Sequence, residues 1–197
     1  MTIFLARHGE TEWNRVGRWQ GNTDIPLSEV GRVQARNLAN RLRDRGITEI
    51  FSSDLSRARE TAEIAAEVLG VSRLRLDPRL RERGFGCFEG LTRQECEERH
   101  GEMWARYLAD RRMTPTGGEP QEQVIARVVA ALTAVAASAS AGDHVLVVSH
   151  GAAIRSFVHS VTGTAPAPLA NTALFSVHHG AAGFTSIALE AEISRAE

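Results

Sequence analysis

The chain has 197 residues, 43% of them apolar, which is long enough for one domain with a sizeable core and short for two. Its 23 basic and 24 acidic residues give a formal net charge of -1, so bulk charge does not favour nucleic acid or an anionic membrane as a partner. All 23 basic residues are arginine, which excludes a Schiff-base lysine, a lysine general base and a lysine-containing phosphate loop.

A strand and a helix are predicted at the start of the chain. The apolar run Ile3-Phe4-Leu5-Ala6 stops at Arg7-His8-Gly9, which predicts a buried strand whose carboxyl end delivers polar residues into a loop. Ser28 is the expected N-cap of a helix that ends at Gly46. The apolar face of this helix is expected to contain Val30, Val33, Leu38 and Leu42.

A second strand and a second helix repeat this order. The pattern predicts a strand from Ile47 to Ser52, and Ser53-Asp54 is expected to cap a helix that ends at Gly70. Arg57 falls in the first turn of that helix, close to the end of the strand. A short strand is predicted next, over 73–76.

Residues 80–118 are irregular and polar, and they are broken by glycines and by Pro115. This pattern predicts a lid with a short helix near 92–108. Loops of this kind carry binding residues more often than packed elements do. We therefore expect substrate specificity to be built in this region.

The last third of the chain contains three predicted strands. A long helix that begins near Pro120 leads into the strand Val145 to Val148, which ends at Ser149-His150-Gly151. Strands are also predicted over 172–177 and 184–189, followed by a polar tail. Because strands alternate with helices, we expect a single α/β domain over residues 1–197 with a mostly parallel sheet.

Two of the predicted strands end in the same way, on a histidine followed by a glycine. Open α/β sheets bind ligands at the carboxyl ends of their parallel strands, so His8 and His150 are expected to meet there. Arg7 and Arg57 are expected at comparable positions, near the carboxyl ends of the first two predicted strands. A single histidine at a strand end is more often structural, but two in equivalent positions beside two arginines favour a functional site.

These residue types suit the transfer of a phosphoryl group. A phosphomonoester is close to a dianion at neutral pH, so its transfer needs positive groups for the equatorial oxygens, an in-line nucleophile and a proton for the leaving oxygen. Arg7, Arg57 and His150 fit the first need. The neutral imidazole of His8 fits the second. The third need calls for a carboxylic acid, which we expect from the lid.

Five sequence blocks occur in a fixed order along most of the chain. They are LARHGETEWN (5–14), QGNTDIPLS (20–28), SSDLSRARETA (52–62), LRERGFGCFEG (80–90) and VVSHG (147–151). In content and order they resemble the histidine phosphatase superfamily, which includes the cofactor-dependent phosphoglycerate mutases. The resemblance implies a phosphoglycerate mutase-like fold, a three-layer α/β/α arrangement with a mostly parallel central sheet.

The resemblance also implies roles for particular residues. His8 would be the phosphorylated nucleophile and Glu82 the proton donor. Arg7, Arg57 and His150 would bind the phosphoryl group. Positions near the phosphate or the substrate are implied for Thr11, Asn14, Gln20, Gly21 and Gly151.

Four further arginines flank the predicted active-site loops. They are Arg15, Arg18, Arg81 and Arg83. Two interpretations stay open for this cluster: it receives a second anionic group, such as a carboxylate or another phosphate, or it forms a solvated basic rim.

No metal and no cofactor are expected. Cys87 and Cys96 lack the paired spacing of a zinc site and are too few for a disulfide framework in a domain of this size. His178 and His179 are neighbours in a strand, so their side chains point to opposite faces and make a poor metal site. Reduced thiols are the expected state of both cysteines.

The expected partner is a small phosphorylated metabolite, and neither nucleic acid nor a membrane. The start of the chain shows no signal-peptide pattern, and the longest strongly apolar run, Val145 to Val148, is too short to span a bilayer. These features predict a cytoplasmic protein. A homodimer is left open.

The catalytic residues do not separate a phosphatase from a mutase, because both begin with the same transfer to His8. The chain is shorter than the mutases of the family, and Gly84-Phe85 follows the acid where those often have a tyrosine. The sequence therefore favours a metal-independent phosphatase that hydrolyses a small phosphomonoester through a phosphohistidine on His8. A phosphoglycerate mutase-type transfer between substrate hydroxyls is the alternative. A phosphoprotein phosphatase and a non-catalytic phosphate-binding module are further hypotheses.

Overall fold

In the computed structural model, which describes residues 1–140 and 142–191, six strands form one mixed sheet. The strands are β1 (Thr2–Arg7), β2 (Ile47–Ser52), β3 (Leu74–Leu76), β4 (His144–Ser149), β5 (Leu174–Gly180) and β6 (Gly183–Ala191). They lie in the order β3-β2-β4-β1-β5-β6, and the last two are antiparallel additions to a parallel sheet. The polar tail predicted after β6 lies outside the described residues.

Helices connect the parallel strands and cover the sheet. They are α1 (Glu12–Arg15), α2 (Glu29–Arg41), α3 (Ser56–Leu69), α4 (Arg93–Ala109), α5 (Gln121–Ser138) and α6 (Gly151–Thr162). Short 3-10 turns lie at 43–45, 78–80 and 86–88. Left-handed glycines end two of the predicted helical segments, Gly46 after the first 3-10 turn and Gly70 after α3.

Side chains of the central strands alternate between two apolar layers. Ile3 and Leu5 of β1 enter a core formed with α5 and α6, whereas Phe4 and Ala6 pack with α2 and α3 on the opposite face. β4 shows the same alternation, which is the period of two expected for a strand covered on both faces. The predicted three-layer α/β/α arrangement with a mostly parallel sheet is therefore confirmed.

The segment predicted as a lid, 80–118, has a small apolar cluster of its own. It contains α4, in which His100 has non-helical backbone angles and produces a kink. The aromatic rings pack mainly edge to face, as in the pair Phe88 and Trp104, with ring centroids 5.4 Å apart. The buried members of the cluster are Phe85, Phe88, Cys96, Trp104 and Tyr107.

The register of the sheet brings the functional segments to one edge. β1 and β4 are parallel neighbours in which Arg7 pairs with Ser149, so His8 and His150 leave the sheet side by side. β2 joins β4 with Ser52 beside Val148, and α3 starts four residues after this strand. Arg57 in the first turn of α3 therefore faces the same edge, as predicted for open α/β sheets.

The predicted apolar face of α2 is wrong at Val30 and Val33, whose side chains are each 53% exposed. The helix turns Gly31 and Ala35 inward instead, along with Leu38. A Cβ on Gly31 would lie 2.1 Å from the carbonyl oxygen of Glu10. The close approach of α2 to the loop after β1 thus selects the smallest residues for the buried face.

Two other details of the helices differ from the prediction. α3 has Leu55 as its N-cap rather than Ser53-Asp54, because Asp54 pairs with Arg81. The short α1 and the whole of α6 were not predicted. α6 buries Ala153, Ile154, Phe157 and Val158, a spacing typical of an amphipathic helix.

None of the helices in the described ranges, 1–140 and 142–191, combines the length and the apolar character needed to cross a membrane.

Candidate active site

His8 occupies the loop directly after β1, and its backbone is fixed on both sides. Its N–H donates to the Ser149 carbonyl at 3.0 Å, and its own carbonyl accepts from the Thr172 N–H and the Asn171 side chain. The Nδ1 atom lies 2.6 Å from the carbonyl of Gly9. A carbonyl can only accept, so Nδ1 carries the proton and Nε2 holds a free lone pair.

The electrostatic surroundings keep His8 neutral. The ring is 2% exposed. Burial, and after it the charges of Arg57 and Arg7, lower the pKa of His8 well below its ordinary value, although the bond to Gly9 raises it. The ring is therefore uncharged at neutral pH, with a lone pair on Nε2.

Arg57, which is buried, and Arg7, which is half-buried, supply two positive charges beside His8. Arg57 donates from its terminal nitrogens to the carbonyls of Thr23 at 2.9 Å and Gly21 at 2.7 Å, and Arg7 donates to the carbonyl of Leu169. Burial lowers the pKa of Arg57 to about 10, with Glu82 acting in the opposite direction. Burial also lowers the pKa of Arg7. Arg57 with a pKa of about 10 stays charged at neutral pH.

His150 is the N-cap of α6, and its ring lies against that of His8. The ring centroids are 5.1 Å apart and the planes are inclined by 58°. Burial, followed by the charge of Arg57, lowers the pKa of His150 well below its ordinary value. The second histidine is therefore also neutral, and one of its ring nitrogens is a hydrogen-bond donor.

Several buried polar atoms converge here without a partner among the described residues. They are Nε of Arg7, Nε of Arg57, both ring nitrogens of His150 and Oε1 of Gln20. Buried polar groups in proteins are nearly always paired. The unpaired N–H groups of Arg7, Arg57 and His150 therefore indicate a site for an anion, whereas Oε1 of Gln20 is a hydrogen-bond acceptor. The residues present suit a phosphoryl group with its three acceptor oxygens.

Glu82 docks on the first turn of α6. Its Oε1 accepts from the N–H groups of Arg83 and Ala153, both at 2.9 Å, and its Oε2 accepts from the N–H of Ala152 at 3.1 Å. Three N–H donors fix the carboxyl group beside the two histidines. Oε2 has the fewer partners, so it is the oxygen with free capacity for a further hydrogen bond.

Arg127 of α5 holds the backbone that carries Glu82. Its guanidinium donates to the carbonyls of Arg79, Arg81 and Glu82 at 2.6 to 2.8 Å. The same group makes a two-pronged pair with the Glu119 carboxylate, at 2.7 and 2.8 Å. Sequence reasoning missed this residue, because its position on α5 gives no sign that it reaches 79–82.

Asn14 and Thr11 have different positions. Asn14 lines the cavity described below, whereas Thr11 is fully buried and does not. Thr11 caps α1: its Oγ1 accepts from the Asn14 N–H at 3.1 Å, while Oδ1 of Asn14 accepts from the Thr11 N–H. The cap commits the Thr11 side chain, and its predicted position near the substrate stays a prediction. Its role is to fix Asn14.

Gln20, Gly21 and Gly151 border the same space. The carbonyl of Gly21 receives Arg57, and a Cβ at this position would lie 2.0 Å from the Glu89 carboxylate. Gly21 also has a φ of +53°, which favours glycine. Gly151 starts α6 beside the Arg7 side chain.

A cavity of about 850 Å³ opens over these groups. Eight of the ten residues predicted for the site line it, and the other two, Thr11 and His150, lie behind the lining. The outer wall was largely missed by sequence reasoning. It includes Arg18, Trp19, Arg83, Phe85, Arg93, Tyr107, Arg111, Arg112, Arg155, Ser156 and His159.

The predicted arginine cluster divides in the structure. Arg15 pairs with Glu12 and Arg81 pairs with Asp54, and neither lines the cavity. Arg18 lines it while pairing with Glu95. Arg83 also lines it but donates to the carbonyl of Glu119 and to three carbonyls of the lid. The four arginines therefore do not form one cluster, and the two interpretations offered for them stay hypotheses.

Neither cysteine takes part in the cavity or in a disulfide. Cys87 and Cys96 are free thiols, and burial raises the pKa of Cys96 to about 11. In the described ranges, no three His, Cys, Asp or Glu side chains gather in a way that suits a metal ion.

A model of the histidine phosphatase superfamily (branch 1) matches residues 3–191 of the chain. The chain therefore belongs to the histidine phosphatase superfamily. The sequence blocks that contain His8, Arg57, Glu82 and His150 are the ones that resemble this superfamily.

Individual relatives carry both mutase and phosphatase names. The chain is 40% identical over 172 residues to a probable phosphoglycerate mutase GpmB of Photorhabdus laumondii, with 83% of this chain and 75% of the relative covered. Among solved structures it is similar to YhfR of Bacillus stearothermophilus, with 30% identity, a TM-score of 0.88 and 98% of both chains covered. It is also similar to a mycobacterial glucosyl-3-phosphoglycerate phosphatase solved with VO3, with 29% identity, a TM-score of 0.85 and 96% and 97% covered.

Proposed function

We propose that the chain is a phosphatase that hydrolyses a small phosphomonoester through a phosphohistidine on His8. One observation carries the proposal: the nucleophilic ring of His8 lies beside buried, unpaired donors of Arg7, Arg57 and His150. These donors suit the equatorial oxygens of a phosphoryl group in line with Nε2. The likeness to a glucosyl-3-phosphoglycerate phosphatase supports the same reaction class.

The first step forms the phosphoenzyme. Nε2 of His8 attacks phosphorus, a P–N bond forms, and the bond from phosphorus to the ester oxygen breaks. Oε2 of Glu82 gives its proton to the departing alkoxide, which leaves as the alcohol. Arg7, Arg57 and His150 hold the charge on the equatorial oxygens throughout.

The second step returns the enzyme to its starting state. Glu82, now a carboxylate, accepts a proton from a water molecule as the water oxygen attacks phosphorus. The P–N bond breaks, phosphate leaves, and His8 recovers its neutral ring. Arginines and backbone N–H groups supply the positive charge in both steps, so the proposed reaction needs no metal, and chelators should leave the rate unchanged.

A small phosphorylated metabolite is the proposed substrate. The cavity holds about 850 Å³, within the range of sites for small molecules. The reaction can be tested by mixing the protein with a 32P-labelled phosphomonoester and quenching in alkali. A labelled protein that is stable in alkali and labile in acid is expected, and His8→Ala should abolish it. Neither label nor phosphate release would favour a non-catalytic binding module.

A mutase is the second candidate, because the GpmB relatives are named probable phosphoglycerate mutases. In that case a second substrate hydroxyl, rather than water, takes the phosphoryl group from His8. The two candidates are separated by supplying 3-phosphoglycerate and following phosphate release and 2-phosphoglycerate formation in parallel. Release faster than isomerisation is expected, and the reverse order would replace the phosphatase with the mutase.

A further inference from the structure

The cavity extends well beyond the phosphate pocket, and its lining is strongly positive. Among the described residues that line it, Glu82 is the only acidic one, against eight arginines. Arg7 and Arg57 belong to the phosphate pocket itself. The remaining six are Arg18, Arg83, Arg93, Arg111, Arg112 and Arg155.

Half of these outer arginines already have partners. Arg18 pairs with Glu95 at 2.5 Å, and Arg112, whose side chain is 74% exposed, pairs with Asp110 at 3.1 Å. Arg83 is buried, and its donors go to the carbonyl of Glu119 and to carbonyls of the lid. Arg18 and Arg83 therefore stabilise the lid, and all three have less capacity left for a ligand.

Three arginines remain without a carboxylate partner in the described part of the chain. Arg93 and Arg111 are exposed at the rim, and the guanidinium of Arg111 lies 4.8 Å from the centre of the Tyr107 ring. Arg155 is half-buried on α6. Its Nε donates to the carbonyl of Pro166 at 2.9 Å, and its terminal nitrogens have no acceptor within the described residues. Nε thus anchors Arg155, and the two terminal nitrogens of its guanidinium are free to bind a ligand.

Arg155 belongs to a polar row along α6. Gly151, Arg155 and His159 are spaced by four residues, so they lie on one face of the helix, and all line the cavity. Nδ1 of His159 is buried and has no partner among the described residues. Ser156 adds a hydroxyl to the same wall. The helix therefore presents polar groups from the phosphate pocket outward.

The helix also sets the distance between Arg155 and the phosphate pocket. The rise of about 1.5 Å per residue places Arg155 about 6 Å farther along α6 than Gly151, which borders the phosphate pocket. Trp19, Phe85 and Tyr107 line the cavity too, so its wall also offers apolar surface for a carbon chain. A ligand that reaches Arg155 from His8 must be several bonds long.

We propose that the alcohol part of the substrate carries a second acidic group, a carboxylate or a phosphate, which Arg155 binds with Ser156 and His159 beside it. The proposal rests on the phosphatase function and names its substrate class. A half-buried arginine with free terminal donors attracts an anion and orients it in a two-pronged contact. The substrate is therefore a phosphomonoester with two anionic ends.

The test uses phosphate esters of hydroxy acids with two to six carbons, each compared with its uncharged amide. We expect kcat/KM for the acid to exceed that for the amide by about 10-fold or more, as a charged hydrogen bond provides. The advantage should peak at an intermediate length, near the span of about 6 Å along α6. A parallel series ending in a second phosphate shows whether carboxylate or phosphate is the better anion.

Hydrolysis of the amides tests the phosphatase proposal separately from the second anion site. If the amides are hydrolysed and the acids gain nothing at any length, the second anion site is wrong and the phosphatase stands. If no member of either series is hydrolysed and no phosphohistidine forms, the phosphatase proposal itself fails. The wild-type series thus decides between these outcomes without any variant.

Variants then assign the site to a residue. Arg155→Gln should reduce the acid-to-amide ratio to about 1, and Arg155→Lys should leave an intermediate ratio, because a lysine keeps the charge and loses the fork. The ratio within each variant is insensitive to a change in overall activity. Arg93→Gln and Arg111→Gln are the matched controls. The assignment would be overturned if the acid-to-amide ratio fell to about 1 in either control while Arg155→Gln kept the wild-type ratio.

Discussion

The floor of the cavity and its outer wall both contain several arginines, but these are held in different ways. On the floor, Arg57 is 1% exposed and is tied to the backbone of 21–23, with Nε left unpaired. On the wall, Arg18 and Arg112 are partly exposed and pair with the carboxylates of Glu95 and Asp110. The floor is built to bind an anion, whereas much of the wall is built to hold the lid.

The two regions also come from different parts of the fold. The floor lies at the ends of β1 and β4 and at the start of α3, elements that the sheet register brings together. The wall comes from residues 18–19, from the stretch 83–112 and from the side of α6 that carries Arg155, Ser156 and His159. Changes in the wall can therefore alter which alcohol is accepted without moving the groups that react with phosphorus. The following predictions test this separation, from the largest effect to the smallest.

The largest effect is expected for His8→Ala. Removal of the nucleophile should lower kcat by on the order of 10⁴-fold or more, because no other residue is placed to take the phosphoryl group. Binding at the wall should survive, so the variant should still bind a phosphorylated acid more tightly than its amide in a calorimetric titration. Wild-type levels of phosphate release would contradict the assignment. A thermal melt of the variant controls for folding.

Glu82→Gln should produce a loss that depends on the leaving group. The amide cannot donate the same proton, so alkyl phosphates should slow by about 10² to 10⁴-fold. An activated aryl phosphate, whose leaving group needs no proton, should slow far less. The measurement is kcat/KM for 4-nitrophenyl phosphate and for a simple alkyl phosphate. Equal losses for both would remove Glu82 from the role of acid.

Arg127→Met should affect Glu82, because Arg127 holds the backbone that carries this residue. Removal of the guanidinium breaks the bonds to Arg81 and Glu82 and leaves the Glu119 carboxylate without its partner. We expect a loss of about 1–3 kcal/mol in the free energy of unfolding. Activity toward alkyl phosphates should fall about 10-fold more than activity toward aryl phosphates, because misplacement of Glu82 harms only the step that needs its proton.

A surface arginine provides the control for that variant. Arg59 pairs with Glu63 one turn away on α3, and its side chain is 47% exposed, so Arg59→Met should change stability by about 0.5 kcal/mol or less. If Arg127→Met slows alkyl and aryl phosphates equally, Arg127 is only a structural residue. In that case the bonds of Arg127 would stabilise the backbone of 79–82 without positioning Glu82 for proton transfer.

The sequence was a good guide to the floor because the floor follows local patterns. Apolar runs located β1 and β4, and the residues that end them, His8 and His150, could be placed at the same edge from strand geometry alone. Arg57 followed from a helix that starts just after β2. Parallel strands and short connections leave little freedom in where these groups meet.

The wall and the packing that supports the floor could not be predicted in the same way, because both depend on contacts between distant segments. Arg127 acts on residues 45 to 48 positions before it, and no periodicity reveals such a reach. Val30 and Val33 were misplaced for a related reason, since the approach of Gly31 to Glu10 is set by tertiary packing. α6 was the avoidable omission: Ala153, Ile154, Phe157 and Val158 follow helical spacing.

The smallest effect on the reaction is expected from a property that concerns stability alone, a pH dependence that comes from the floor. Burial lowers the pKa of His8 and His150 well below 6.5, whereas in the unfolded chain each histidine takes up a proton near pH 6.5. Below that pH the unfolded state binds more protons. The free energy of unfolding should therefore fall as the pH drops from about 6.5, by up to about 1.4 kcal/mol per pH unit for each of the two histidines.

Urea titrations between pH 7.5 and pH 5 measure this slope, and they separate the histidines from the acidic groups. Hydrogen bonds from arginines are the chief cause of the lowered pKa of Asp54 and Asp77. Protonation of these carboxyls therefore reduces the free energy of unfolding only at lower pH, near and below their ordinary pKa of 3.8. His8→Asn and His150→Asn should each remove about half of the slope above pH 5. A flat profile in the wild type would mean that both rings take up protons as readily in the folded state as in the unfolded chain. His8 would then lose the free lone pair that the proposed attack requires as the pH falls below about 6.5.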